Sequence, residues 1–208
     1  MSIKTFIILS GCSCSGKTTL FDILKKDLNI EKTYSEHGTK IIKQRIREGR
    51  LLPWEHQSSL ESFRGFQKEI YDLEVKELND CKKSFDDYTD EYILFDRTLS
   101  DISAYYKLYL NKDIKEDLLF PFTDIKYLFS QSKKRYEIKY NVFFLKPLSF
   151  LQDNEIRNMT FDESKRLKEY EYLKEVYCRH FTEDELNIEE NVQDTDKRIN
   201  WIKNVIFR

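Results

Sequence analysis

Apolar positions along the chain fall into two recurring patterns, and they alternate. Residues 3–10 form a short, β-branched, almost continuous apolar run, as expected of a parallel strand covered on both faces. Leu20, Ile23, Leu24 and Leu28 then recur at helical spacing and predict a helix over about 16–28. A second strand is expected at 33–35, ending near Glu36. Ile41, Ile42, Arg45 and Ile46 suit a short helix closed by Gly49. Beyond Pro53 a long helix is expected over about 58–79. The apolar Tyr92-Ile93-Leu94-Phe95 predicts a strand over 91–95 that runs into Asp96-Arg97, with a Tyr-rich helix from about Ser100. Pro121 opens a further helical stretch to about Ser130. A fourth strand is read at 141–145, stopped by Lys146-Pro147, then a charged helix at 161–180, a weak fifth strand at 186–188 and a final helix at 196–207. Strands alternating with helices specify an α/β fold with a parallel sheet sandwiched between helices. No internal repeat and no Pro- or Gly-rich break occurs in the 208 residues, so one domain, 1–208, is expected.

Composition narrows this picture in three ways. A hydrophobic content of 40% suffices for a sizeable core, and the 35% charged residues belong on outer helix faces. A net charge of −2 with balanced signs points away from a nucleic-acid surface. The four cysteines, Cys12, Cys14, Cys81 and Cys178, have neither a disulfide-framework nor a zinc spacing and read as free thiols of a reducing compartment. Leu9-Ser10-Gly11-Cys12 imitates a lipoprotein cleavage box. The apolar run before it, Phe6-Ile7-Ile8-Leu9, is shorter than the roughly 7–15 residues that an export signal needs. The same segment reads well as a buried strand. A cytoplasmic protein with no membrane segment is expected.

The chemistry begins after the first strand. Gly11-Cys12-Ser13-Cys14-Ser15-Gly16-Lys17-Thr18 matches G-x-x-x-x-G-K-[ST], the P-loop. Its glycines let successive backbone N–H groups turn inward onto phosphate oxygens, and the next helix adds its positive N-terminal end. Lys17 is expected on the β- and γ-phosphates and the Thr18 hydroxyl on Mg²⁺, with Thr19 completing the nucleotide-binding set. A bare Gly/Ser-rich strand–turn–helix is the bland alternative. Two of only five glycines sit at the required positions, between an apolar strand and an amphipathic helix.

Ligands of open parallel sheets lie beyond the carboxyl ends of the strands, and Glu36 and Asp96 fall at two such ends. There Asp96 would reach Mg²⁺ through water or act as base on an acceptor hydroxyl. Arg97 would hold an acceptor phosphate or carboxylate, or would be a surface Arg. Asp101 is either a helix-start acid or a carboxylate supporting the site; the tyrosines of its helix suit packing better than a stacking platform. Arg157, in Gln152-Asp153-Asn154-Glu155-Ile156-Arg157, is placed to close over the phosphates. Lys165, Arg166 and Lys168 look like a solvated face, and His37, His56 and His180 form no ligand pattern.

The chain resembles the AAA-like P-loop kinase/ATPase family that includes the ribosylnicotinamide kinase domain and is akin to nucleoside and nucleotide kinases. GCSCSGKTTL, Glu36, the stretch 49–67 with Leu52-Pro53-Trp54-Glu55, Phe95-Asp96-Arg97 with Asp101 and Ala104-Tyr105, Phe143-Phe144-Leu145 and 153–157 carry the resemblance. It implies a P-loop NTPase three-layer α/β/α sandwich with a mostly parallel five-stranded sheet and a helical lid at about 148–166. It also implies Asp96 as the acceptor-activating carboxylate, Glu36 as an acceptor-site residue and Arg157 as a lid arginine; the residue reading adds Arg97 and Asp101 to the acceptor side and Thr18 and Asp96 to the metal. Two departures stand out: Thr39, with Lys40 next, replaces an Arg common three residues after the Glu, and the usual Gly before the last strand is missing.

These features together predict an ATP- and Mg²⁺-dependent small-molecule kinase that phosphorylates a hydroxyl of a nucleoside-like acceptor. A homodimer is compatible with that reading. The alternative is a regulatory NTPase that hydrolyses ATP or GTP while binding a partner, although no guanine-reading Asn/Thr-Lys-x-Asp motif occurs. A polynucleotide 5′-kinase would need a basic channel.

Overall fold

Alternation of side chains along a strand explains how three strands of this chain feed two separate cores. The computed structural model describes residues 2–13, 15–50, 60–83, 92–110, 120, 124–130, 136–148, 163–190 and 194–208. In strand β1 (Ser2–Gly11), Phe6 and Ile8 enter one core while Ile7 and Leu9 enter the other. Strand β3 (Tyr92–Asp96) divides in the same way, with Ile93 and Phe95 opposite Leu94. Strand β4 (Tyr136–Leu145) sends Val142 and Phe144 one way, Phe143 and Leu145 the other. A period of two on a sheet buried on both faces requires this division.

Helices supply the outer layers. Helix α1 (Lys17–Asp27) buries Leu20, Phe21 and Leu24 against Ile199, Ile202 and Ile206 of helix α7 (Thr195–Ile206) on one face of the sheet. Each such apolar side chain contributes about 1.5–3 kcal/mol on burial. The other face is covered by α3 (Leu60–Lys83), α4 (Leu99–Leu110), α5 (Ile125–Ser130) and α6 (Glu163–His180), through Leu78, Ile102, Leu128 and Tyr177 among others. Helix α2 (His37–Arg47) follows the two-residue strand β2 (Thr33–Tyr34).

The sheet order is β2-β3-β1-β4-β5, with β5 at Leu186–Ile188, and every pairing is parallel. The expected α/β/α sandwich is therefore present, and its described strands are wholly rather than mostly parallel. From β1 the chain goes out to β2 and back to β3 on one side, then crosses to β4 and β5 on the other, so the Gly-rich loop stands at the point where strand order reverses.

One strand is longer than its pattern suggests. The sequence shows 141–145, yet β4 begins at Tyr136 and pairs with β1 from Ser2↔Tyr136 to Gly11↔Leu145. Glu137 and Lys139 are exposed there, so the first half alternates and lacks a continuous apolar run. Most of the lid expected at 148–166, Arg157 included, lies outside the described residues, as do Cys14 and His56. Among the described residues no helix is long and apolar enough to cross a membrane.

Candidate functional site

Two glycines make the turn from β1 into α1 possible. Gly11 has φ +136, and a Cβ there would lie 2.4 Å from the Leu145 carbonyl oxygen. Gly16, the N-cap of α1, has φ +83. Both dihedrals are in the region that L-residues avoid. The start of α1 has neither a side-chain cap nor an acid in its first turn, so its orphan amides and dipole stay available to an anion. Ser15 and Cys12 are buried, Ser13 is half-buried, and Thr18 and Thr19 are exposed on the first turn. Burial pushes the Cys12 thiol up to about 11, so it packs as a neutral group.

Lys17 lies back across the loop. Its Nζ donates to Gly11 O at 2.8 Å, Cys12 O at 2.7 Å and Ser15 Oγ at 3.2 Å. Burial, helped by the Arg97 charge, lowers its pKa to about 8, against the raising influence of Asp96 and Glu36. Behind the loop, Arg198 of α7 donates through Nη1 to Ser15 O at 2.7 Å and through Nη2 to Lys146 O at 3.2 Å. Glu189, just past β5, takes Arg198 Nε and Nη2 at 2.7 Å each, and also the Lys146 N–H at 2.9 Å. A buried two-pronged ion pair thus fastens the loop, the end of β4 and α7 together.

The second half of the site is built at the end of β3. Asp96 pairs in register with Leu9 and is buried, and among the described residues its Oδ1 has no hydrogen-bond partner. Burial raises its pKa to about 6, although Lys17 and Arg97 pull it down. Arg97 follows with φ +74, a backbone that costs a non-glycine residue about 1–2 kcal/mol. The strain is offset by what the turn achieves. The Arg97 N–H closes on Leu9 O at 3.0 Å, and the guanidinium swings beneath Glu36, with Nε 3.3 Å from Glu36 Oε1. Its Nη1 donates to Asp101 Oδ1 at 3.0 Å and to Tyr105 Oη at 3.1 Å. Thr39, where an Arg is expected, donates to Glu36 Oε2 at 3.3 Å.

Asp101 is the helix-start acid of the sequence reading and also the support behind Arg97. Thr98 and Asp101 form a capping box: the Thr98 N–H donates to Asp101 Oδ2 at 3.0 Å, and Thr98 Oγ1 accepts from the Ser100 N–H at 3.3 Å. Ser10 Oγ donates to Asp101 Oδ1 at 3.1 Å, and Tyr177 of α6 donates to Oδ2. Both oxygens are therefore engaged within the protein, which makes Asp101 the anchor of the Arg97 side chain. His37 is buried at the start of α2 with Nε2 3.0 Å from Glu77, and His180 Nδ1 pairs with Ser100 Oγ at 2.8 Å, so both are structural.

Helix α6 contributes residues that sequence reasoning set aside. Arg166, grouped with Lys165 and Lys168 as a solvated face, is half-buried and donates through Nη1 to Leu148 O at 2.9 Å; Lys168 is exposed. Glu169 is buried, and its Oε1 accepts from the Ser13 N–H at 2.8 Å, from Ser13 Oγ at 3.1 Å and from Tyr105 Oη. The helical spacing of Arg166, Glu169/Tyr170, Leu173 and Val176/Tyr177 would have placed both on the inner face.

Asp96 and Thr18 fit a magnesium nucleotide: a P-loop site needs one or two carboxylates, a hydroxyl and the substrate's own phosphates. The Asp96 Oδ1 would supply the carboxylate. Among the described residues no group of three or more His, Cys, Asp or Glu forms a metal cage of its own.

No curated protein matches the chain significantly. Among solved structures it resembles the deoxyadenosine kinase of M. mycoides with products dCMP and dCDP, at 14% identity and a TM-score of 0.59, covering 97% of this chain and 98% of that one. It resembles NadR in complex with NR at 14% identity and a TM-score of 0.61, covering 99% of this chain but 52% of NadR. Thymidylate kinase from Ehrlichia chaffeensis follows at 15% identity and a TM-score of 0.52, with 99% of each chain covered. These likenesses show a shared P-loop kinase fold. The model of one family, described as AAA domain, matches residues 6–191, from β1 past β5, and the chain belongs to that family.

Proposed function

We propose that this protein is an ATP- and Mg²⁺-dependent kinase that transfers the γ-phosphoryl group to a hydroxyl of a small, nucleoside-like acceptor. One observation carries the reading: a buried carboxylate, Asp96, with an oxygen that has no partner among the described residues, ends the strand beside a P-loop, next to the ion-paired Glu36 and Arg97.

Phosphate oxygens would take the Lys17 Nζ protons now given to the loop carbonyls, and the open amides of α1 would hold the β-phosphate. Mg²⁺, held by Thr18 and through water by Asp96, would neutralise charge on the phosphates. Glu36 and Arg97 would orient the acceptor, with Asp101 fixing Arg97. The acceptor oxygen would form its bond to the γ-phosphorus as the bond to the β–γ bridging oxygen breaks, and its proton would pass to Asp96. Arg157 would add positive charge from the lid. The nucleoside-like character rests on the kinase folds and on NadR in complex with NR, which the chain resembles.

The test is ADP release across a panel of nucleosides and related vitamins. Acceptor-dependent ADP release is expected, lost in Lys17→Ala and lowered more than about a hundredfold in Asp96→Asn. ATP consumption that no acceptor accelerates would remove the kinase reading. Near-normal turnover in Asp96→Asn would remove the base.

A further inference from the structure

A phosphate cradle should present its amides to solvent or to a ligand, yet one of them is already taken. Ser13 is the third residue of the Gly11–Thr18 motif, and its N–H and hydroxyl both donate to Glu169 Oε1, at 2.8 and 3.1 Å. The carboxylate comes from the middle of α6, 156 residues away in sequence, and is buried. It is held there by the Tyr105 hydroxyl, whose phenol burial keeps neutral and hydrogen-bearing, and Tyr105 is in turn held by Arg97 Nη1 at 3.1 Å. Lys17, the loop's cation, is meanwhile spent on the loop's own carbonyls.

We propose that Glu169 is an internal competitor for the phosphate cradle: in the nucleotide-free protein its carboxylate occupies the Ser13 donors, and it must withdraw when a triphosphate enters. The inference rests on the nucleotide reading of the loop. A carboxylate and a phosphoryl group both present anionic oxygens to an N–H donor, so one replaces the other without leaving an amide unpaired. They do not share the site, because like charges a few ångströms apart in a partly buried pocket repel strongly. The arrangement lowers affinity for nucleotide in the empty protein. Its latch, Tyr105, is bonded to the arginine that contacts Glu36, so the guard is wired to the acceptor side through Glu36, Arg97, Tyr105 and Glu169.

A merely structural glutamate and a competitor predict opposite signs, and calorimetric titration of the full chain with MgATP reads the sign. Wild-type protein is expected to bind and Lys17→Ala to lose binding. Glu169→Gln, which keeps the shape and removes the charge, is expected to bind about tenfold more tightly. Tyr105→Phe releases the latch and is expected to tighten binding by a smaller factor. Equal or weaker binding by a folded Glu169→Gln, with Lys17→Ala still defective, overturns the inference and leaves the nucleotide reading standing. If Glu169→Gln does not melt cooperatively, Tyr105→Phe decides: tighter binding supports the competitor, and unchanged or weaker binding overturns it. Absence of MgATP binding in the wild type overturns the nucleotide reading, and the inference with it.

Discussion

Arg198 offers a perturbation whose cost follows from counted contacts. Replacement by Met keeps the length and apolar stem of the side chain but removes the guanidinium that bridges Glu189, Ser15 O and Lys146 O. Glu189 then stays buried without its arginine, keeping the Lys146 N–H as a donor. Removing one partner of a buried ion pair costs about 3–5 kcal/mol. The two carbonyls each lose a charge-assisted hydrogen bond, but they lie near the loop and recover part of that loss through water. About 3–5 kcal/mol is therefore expected for Arg198→Met, a large share of the roughly 5–15 kcal/mol that holds a domain together. The double replacement Arg198→Met, Glu189→Met removes the buried carboxylate together with its arginine, and recovery of about 2 kcal/mol or more relative to the single variant is expected. Urea unfolding followed by circular dichroism measures both. A loss below about 1 kcal/mol in Arg198→Met, or no recovery in the double variant, would refute the claim that a coupled buried pair anchors the loop. MgATP affinity read on the folded fraction should fall as well, because the Ser15 carbonyl sets the orientation of the peptide leading into Gly16.

Gly11→Ala combines φ +136 with a Cβ placed 2.4 Å from a backbone oxygen of the central β1–β4 ladder, so a loss above about 3 kcal/mol is expected in the same unfolding assay. A loss under about 1 kcal/mol would show that the strands part more easily than the register implies. The pH profile of kcat/KM should be bell-shaped. Asp96 must be ionised to accept a proton, so activity rises through about 6; Lys17 must be protonated to meet phosphate, so activity falls through about 8. Bound phosphate restores charge stabilisation to Lys17, and the alkaline limb of kcat is expected at higher pH than that of kcat/KM. A profile flat from pH 5 to 9 contradicts both assignments.

Local rules carried the linear part of the reading. The strand before the cradle, the helix after it and the strand ending in Asp96 are each written in a contiguous run of residues, and β5 falls on the three residues expected, Leu186–Ile188. A P-loop is legible because its glycines are demanded by backbone geometry within eight residues. The first half of β4 was hidden because exposed Glu137 and Lys139 break its apolar run, and only pairing with β1 makes it a strand.

The remainder depends on which distant residues the fold brings together. Glu169 read as one more charge on a polar helix, because nothing in its neighbours shows that Ser13 and Tyr105 lie beneath it. Arg198 and Glu189 flank the last connection and gain meaning only when α7 docks behind the loop. By itself the sequence determined where a phosphate cradle must be and which strand ends face it, since those follow from short-range sterics and periodicity. Tertiary structure decided which charges are paired, buried or left open around that cradle, because desolvation and ion pairing are set by contacts between residues far apart in the chain.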